Sequence, residues 1–100
     1  MKSIMDDKKR HECYLCRKLY MDDSQKVTEE HHAIHGNGRR QLSEKYGLKV
    51  YLCQAHHTGS NQAVHLNHEM DLMVEQDAQR AFEKDHSRSE FISIFGKSYL

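Results

Sequence analysis

Apolar residues in the C-terminal third of the chain recur every three or four positions, which is the period of a helix with one buried face. The first such helix should begin between Ser60 and Asn67, and its apolar stripe consists of Met70, Met73, Val74, Ala78, Ala81 and Phe82. A second helix should start at Ser87, because Ser87 and Glu90 have the spacing of a capping box and apolar residues follow. Gly96 should end this helix.

Two shorter segments upstream have the alternation and the β-branched residues of strands. The first strand is predicted at residues 27–33, before a Gly-Asn-Gly turn. The second strand is predicted at 48–52 and leads directly into Cys53. Between them, residues 41–46 should form a short helical turn that ends at Gly47. The pattern therefore indicates a small α+β fold with additional C-terminal helices.

One hundred residues are enough for one domain, over residues 1–100. We expect a flexible start at 1–11, a core at 12–75 and helical support at 76–100. The formal net charge is zero, which argues against a surface that is basic throughout and binds nucleic acid nonspecifically. Any contact with DNA would have to come from local basic patches. The start of the chain has no apolar run, and no stretch approaches the roughly 20 apolar residues of a membrane span. We therefore expect a cytoplasmic protein without a membrane partner.

Cysteine and histidine spacing points to a structural zinc site. Two residues separate Cys13 from Cys16, and two residues likewise separate Cys53 from His56. Zinc takes thiolate sulfur and imidazole nitrogen in a tetrahedron, and this set uses every cysteine in the chain. The alternative is a redox pair of Cys13 and Cys16 with an unrelated buried Cys53. A zinc-stapled core would suit a chain too short to bury a large apolar core.

Further histidines flank the elements that this zinc would join. His31 and His32 are adjacent on the first predicted strand, and His57 follows the zinc ligand His56, with His65 downstream. Successive strand residues point to opposite faces, so His31 and His32 share a cleft only if the strand twists at its end. One of them could then bind a second metal ion while the other serves as a general base, since imidazole titrates near neutrality.

These residues resemble the HNH, or His-Me finger, nucleases, which have a ββα-metal core. The resemblance covers about residues 10–75. The Cys-x2-Cys at 13–16 followed by Glu-x-His-His at 29–32 is similar to small HNH proteins of bacteriophages and their bacterial hosts. The tail at 90–100 also resembles those phage proteins, although it is less specific than the metal motifs.

The resemblance implies a role for each matching residue. His32 matches the general base, His31 the metal ligand just before it, and His57 a second ligand of the catalytic ion. A third ligand is expected downstream, where both Asn61 and His65 are candidates. We favour His65, because imidazole binds transition ions better than an amide does.

The chain departs from the family pattern at one position. The family has an asparagine five residues before the position of Cys53, where this chain has Leu48. That asparagine braces the loop that positions the base. We expect the brace to come instead from Asn37 or from the backbone of residues 36–38.

The implied function is metal-dependent hydrolysis of DNA phosphodiesters, by nicking or double-strand cleavage, with one catalytic ion (Mg²⁺, Mn²⁺, Co²⁺, Ni²⁺ or Zn²⁺) beside the structural Zn²⁺. Arg39 and Arg40, expected on a loop, and Lys45 and Lys49 are candidate phosphate contacts, unless they belong to an ordinary solvated loop. The alternatives are a zinc-finger-like nucleic-acid-binding module without catalysis and, less favoured, a metal-regulated protein-interaction module. Phage packaging proteins are the further partners that the resemblance implies, with a monomer or small homo-oligomer as the assembly.

Overall fold

A computed structural model describes residues 1–6 and 11–100. Within these residues the secondary structure follows the order α1 (Tyr14–Tyr20), β1 (Thr28–His32), α2 (Arg39–Tyr46), β2 (Lys49–Cys53), α3 (Gln54–His57), α4 (His68–Phe82) and α5 (Arg88–Phe95). The architecture is α+β, as predicted, with helices around one two-stranded sheet in the described part of the chain. Among the described residues, none of the helices combines the length and the hydropathy that a membrane span requires.

The sheet joins β1 to β2 in antiparallel register. Thr28 lies opposite Cys53, and His32 lies opposite Lys49. The ladder continues one residue past β1, where the Ala33 amide donates to the Leu48 carbonyl at 2.9 Å. Both predicted strands are thus present, with bounds that differ by a residue or so. This register leaves the paired histidines at the end of β1, where the chain turns away from the sheet.

Helix α2 connects the two strands, and a glycine lies at each of its ends. Gly38 precedes it with φ 76°, and Gly47 follows it with φ 72°, a conformation that favours glycine. A Cβ at Gly47 would also overlap the carbonyl oxygen of Lys2, so no larger residue fits there. The helix begins at Arg39, which corrects the prediction of a loop at Arg39 and Arg40.

The core forms where the sheet, α4 and α5 meet. Its buried apolar side chains include Leu15, Ile34, Leu48, Val50, Leu52, Val74, Ala78, Phe82, Phe91 and Phe95. Phe82 supplies the centre of an aromatic group, with ring centroids 5.4 Å from Phe91 and 6.1 Å from Phe95. The predicted apolar stripe therefore faces the core. Helix α4 runs without a break across residues 75 and 76, the positions between which the core and its helical support were expected to divide.

Both C-terminal helices begin with a side-chain cap. Asn67 accepts hydrogen bonds from the first amides of α4, at the end of the predicted window. Ser87 and Glu90 form both hydrogen bonds of the predicted capping box, and Gly96 ends α5 with φ 92°.

The first six residues pack onto the start of β2. The Ile4 amide donates to the Gly47 carbonyl at 2.9 Å, and the buried Ser3 hydroxyl donates to the Lys49 carbonyl at 2.5 Å. Asp6 is also buried and pairs with Arg17 at 2.6 Å. The flexible start expected for residues 1–11 stays a prediction, while Ser3 and Asp6 are buried in the structure. Residues 7–10 of that segment lie outside the described residues.

Candidate functional site

Three elements, α1, β2 and α3, bring the three cysteines and His56 together. Cys13 is the N-cap of α1, and its sulfur accepts a hydrogen bond from the Cys16 amide at 3.4 Å. Cys53 is the last residue of β2, and α3 begins immediately after it and carries His56. The short helix α3 was not predicted from the sequence. It turns the chain so that His56 faces the sulfur atom of Cys53 at 3.5 Å.

The four ligand atoms have the spacing of a tetrahedral zinc site. The Nδ1 atom of His56 lies 3.5 Å from the sulfur of Cys13, 3.4 Å from that of Cys16 and 3.5 Å from that of Cys53. The sulfurs of Cys16 and Cys53 are 3.9 Å apart. A tetrahedron with Zn–S near 2.3 Å and Zn–N near 2.0 Å requires edges of about 3.5 Å and about 3.8 Å. The Cys₃His group can therefore hold a structural metal such as zinc.

The electrostatics of this group also favour a bound cation. All three cysteines are buried free thiols. Burial, together with the neighbouring Cys13 and Cys53, raises the pKa of the Cys16 thiol to about 12. Three thiolates at this distance therefore need a cation between them. The equal distances from His56 to all three sulfurs favour a metal site over the alternative of a redox pair plus an unrelated cysteine.

A second group of ligand atoms includes His57, the neighbour of His56 in α3. The ligand atoms of His31, His57 and His65 all lie within 4.8 Å of one another. The Nε2 atoms of His57 and His65 are 3.1 Å apart, close to the ~3.3 Å separation of two imidazole nitrogens on one ion. The Nε2 atom of His31 is buried and has no hydrogen-bond partner among the described residues. This group fits a second metal ion.

Each of the three histidines comes from a different part of the fold. His31 lies near the end of β1, His57 is the last residue of α3, and His65 lies in the turns before α4. The His65 amide donates to the His57 carbonyl at 3.3 Å, which holds the turn against α3. The competing candidate Asn61 does not line the cleft described below. Its backbone carbonyl accepts a hydrogen bond from the side-chain amide of Asn67 at 3.0 Å.

The surroundings prepare these imidazoles for metal binding. The Nδ1 atom of His57 lies 3.1 Å from Oε1 of Glu29, and a hydrogen bond from Nδ1–H to this carboxylate leaves the lone pair of the neutral ring on Nε2. Burial, together with the neighbouring histidines, lowers the pKa of His31 to about 3. His31 is therefore a neutral imidazole at neutral pH, which is the form that binds metals.

His32 has separate partners at its two ring nitrogens. Its Nε2 donates to Oε1 of Glu44 at 2.9 Å, and its Nδ1 accepts from Nε of Arg40 at 3.4 Å. Hydrogen bonds from His32, the N-terminal amine and Lys49 lower the pKa of Glu44 to about 2, so the carboxylate is ionised at neutral pH. This arrangement places the proton of His32 on Nε2 and makes Nδ1 the basic atom.

An open cleft of about 260 Å³ is lined by both the three-histidine group and His32. Its lining consists of Glu30, His31, His32, His35, Arg40, His57 and His65. His31 and His32 thus reach the same cleft from consecutive positions at the end of a strand, as predicted. His35 belongs to the same surface, and nothing in the sequence pattern indicated its place there.

The loop after His32 is braced by Ser43 of α2. The Ser43 hydroxyl accepts from the Ile34 amide at 2.9 Å and donates to the Ile34 carbonyl at 2.8 Å, and Ser43 is fully buried. This finding corrects the expectation of a brace from Asn37 or from the 36–38 backbone. Leu48 contributes an apolar side chain to the core, and only its backbone supports the loop.

The four predicted phosphate contacts take different positions. Of these four described residues, Arg40 alone lines the cleft. A guanidinium nitrogen of Arg39 lies beside Gly96 instead, and Lys45 is exposed next to Tyr46.

Lys49 is not available to a phosphate group. Its side chain is 10% exposed, and its ammonium lies 3.0 Å from Glu44 and 3.4 Å from Glu30. Lys49 therefore holds the carboxylate that orients His32, which corrects its predicted role as a phosphate contact.

Comparison with known proteins gives no match: no family model, no curated protein and no solved structure matches the chain. The chemistry of the site is therefore inferred from the two metal-ligand groups and from the partners of His32.

Proposed function

We propose that the protein is a metal-dependent DNA endonuclease of the HNH, or His-Me finger, type. The observation that carries this proposal is the cleft, in which three convergent imidazoles lie beside a fourth, His32, that has its own carboxylate partner. The order β1, β2 and α3 supports a ββα-metal core, since one strand supplies His31 and His32 and the helix after the second strand supplies His57.

Within this proposal, the two metal groups have different tasks. The Cys₃His group holds a structural zinc ion that joins α1 to the end of β2 and to α3. His31, His57 and His65 hold the catalytic ion. An ion there would supply Lewis-acid stabilisation of the charge that develops on the phosphate and on the leaving oxygen.

His32 acts as the general base. Its Nδ1 accepts a proton from the attacking water, and the ionised Glu44 stabilises the imidazolium that results. The hydroxide oxygen then forms a bond to phosphorus while the bond to the 3′ oxygen breaks, which leaves a 5′ phosphate.

Arg40 contributes the positive charge of the cleft. Its guanidinium suits a phosphate oxygen, since arginine donates in a planar fork. It also contacts Nδ1 of His32 at 3.4 Å, a position that the attacking water would share. Substrate binding would therefore draw Arg40 towards the phosphate and release the basic nitrogen.

The second candidate is a zinc-finger-like nucleic-acid-binding module without catalysis. The observation in its favour is the placement of Arg39 and Lys49 outside the cleft, which leaves Arg40 as the one predicted cation within it among the described residues. This candidate gives no role to the His31, His57 and His65 group, and for that reason we favour the nuclease.

Cleavage of supercoiled plasmid separates the two candidates. The protein is prepared with one zinc per chain and assayed with Mg²⁺, Mn²⁺, Co²⁺ or Ni²⁺, with EDTA added briefly to matched samples. We expect ion-dependent nicking by the wild type and none by His57→Ala prepared in the same way. Salt-sensitive DNA binding without nicking under any ion would overturn the nuclease and favour the binding module.

A further inference from the structure

His35 and Asp71 form a pair at the edge of the histidine cluster. The Nε2 atom of His35 lies 3.0 Å from Oδ1 and 3.1 Å from Oδ2 of Asp71. His35 follows the end of β1, whereas Asp71 lies in the first turn of α4, and 36 positions separate them. Imidazole and carboxylate are both metal ligands, and here two distant elements present them at one point.

This pair shares a neighbour with the metal group already described. The ligand atoms of His31, His35 and Asp71 lie within 4.8 Å of one another. The ring of His31 is 5.8 Å from that of His35, and it is 5.1 Å from that of His65 on its other side. His31 thus lies between two ligand sets.

An independent observation points to a ligand at this place. His31 is 3% exposed, and its buried Nε2 atom has no hydrogen-bond partner in the part of the chain that the structure describes. A buried nitrogen without a partner destabilises a fold, and a metal ion removes that cost.

We propose that the cleft offers one divalent ion two alternative positions that share His31. The first position is formed by His31, His57 and His65, and the second by His31, His35 and Asp71. A neutral imidazole has one nitrogen with a free lone pair, so His31 serves one ion at a time. The two positions are therefore occupied in alternation.

The chemistry of the two positions differs. Three imidazoles suit Co²⁺, Ni²⁺ and Zn²⁺, whereas a carboxylate oxygen is a harder donor that suits Mn²⁺. The identity of the ion therefore selects the position. This inference rests on the proposed function only in treating the histidine cluster as a metal site, and it requires no DNA cleavage.

Binding of Mn²⁺ and Ni²⁺ to the zinc-loaded chain tests the proposal by calorimetry. Asp71→Asn should weaken Mn²⁺ binding by about tenfold or more and change Ni²⁺ binding by less than about threefold, a range typical of altered metal shells. His65→Gln should show the opposite preference. Asp85→Asn is the matched control, because Asp85 is an exposed aspartate outside the cleft. Equal weakening of both ions by Asp71→Asn, or no change in either, would overturn the proposal.

Wild-type protein provides a second test that does not depend on how a variant folds. Electron spin echo spectra of bound Mn²⁺, recorded with ¹⁵N-labelled histidine, count the imidazole nitrogens on the ion. We expect the two nitrogens of His31 and His35, and a count of three would overturn the proposal. Absence of nicking in the plasmid assay together with these metal-binding results would reject the nuclease but keep the two positions.

Discussion

The Nε2 atom of His32 lies 2.9 Å from Oε1 of Glu44, although twelve positions separate the two residues along the chain. The contact joins the end of β1 to α2, and Lys49 of β2 holds the same carboxylate from the opposite strand. A side chain at the end of a strand would otherwise rotate freely. This carboxylate fixes the ring of His32, leaving Nδ1 as the atom that can accept a proton.

Glu44→Gln tests this relationship. Glutamine keeps the shape of the side chain but removes the charge that, in the proposed mechanism, would stabilise the imidazolium. We expect kcat for nicking to fall by about tenfold to a hundredfold, a share of the ~10²–10⁴ that a general base supplies, while metal content is unchanged. Glu83→Gln is the control, since Glu83 pairs with Arg88 on α5. An unchanged kcat in Glu44→Gln would show that the carboxylate does not assist the base.

Ser43→Ala tests the brace on the loop after His32. Its loss leaves the amide and carbonyl of Ile34 without their side-chain partner, which should lower the free energy of unfolding by about 1–3 kcal/mol. Activity at a temperature where the variant is fully folded should fall as well, because the loop then holds His32 less firmly. Urea unfolding and kcat are measured together.

Ser87→Ala provides the control for this experiment. The Ser87 hydroxyl also bonds to backbone, since it accepts from the Glu90 amide at 3.1 Å, but it caps α5 and lies outside the cleft. It should lose stability and keep its kcat. A Ser43→Ala variant that loses stability but retains full kcat would limit Ser43 to a structural role.

Adjacent His56 and His57 should respond in opposite ways to substitution. His56→Ala should lose its zinc and unfold. Structural zinc contributes about 10–16 kcal/mol, which equals or exceeds the ~5–15 kcal/mol stability of a typical domain. His56→Cys should retain zinc, since four cysteines also form a structural site. His57→Ala should remain folded with one zinc per chain. Zinc analysis and far-ultraviolet circular dichroism check these outcomes, and a folded, zinc-free His56→Ala chain would contradict the structural role.

Glu75 should make stability depend on pH. Burial, with the neighbouring Asp71 carboxylate, raises its pKa from the usual 4.5 to about 7, against the opposing effects of His35, Lys97 and His68. The native state therefore holds this proton more tightly than the unfolded state. The stability that protonated Glu75 contributes is fully present below pH 4.5 and is lost as the pH rises through about 7.

Glu75→Gln removes this titrating group, so the difference in stability between variant and wild type across pH reports its effect. The variant should be more stable than the wild type by about 3 kcal/mol at about pH 8.5, and this difference should be smaller by about 1 kcal/mol at about pH 6. Urea unfolding at saturating zinc across this range gives the difference directly. A difference that is constant with pH would contradict the raised pKa.

Sequence patterns predicted those parts of the fold that depend on local periodicity. The α4 stripe through Val74, Ala78 and Phe82 and the capping box at Ser87 depend on helical spacing, and both are present. The Cys₃His group was predictable because each pair of ligands is close in sequence, and a single turn of chain brings its two members together. Helix α3 has four residues and carries too short a pattern to be recognised.

The supporting contacts of the site were not predictable, because they join residues that are distant in sequence. Glu44, Ser43 and Asp71 are ordinary helix residues until α2 and α4 pack against the end of β1. Lys49 appeared to be a free cation in the sequence, and only the pairing of β1 with β2 places it against carboxylates. The brace on the loop after His32 comes from Ser43, which lies on α2. The residues around Leu48 carry no pattern that indicates this contact.

The most direct test of the nuclease is the rate at which zinc-loaded His32→Ala nicks supercoiled plasmid with a saturating divalent ion. His68→Ala is the control, because His68 is an exposed histidine outside the cleft. We predict that the His32 variant retains its zinc and its fold and loses about a hundredfold or more in rate, while the control retains its rate. Nicking at the wild-type rate by folded His32→Ala would contradict the account of the cleft.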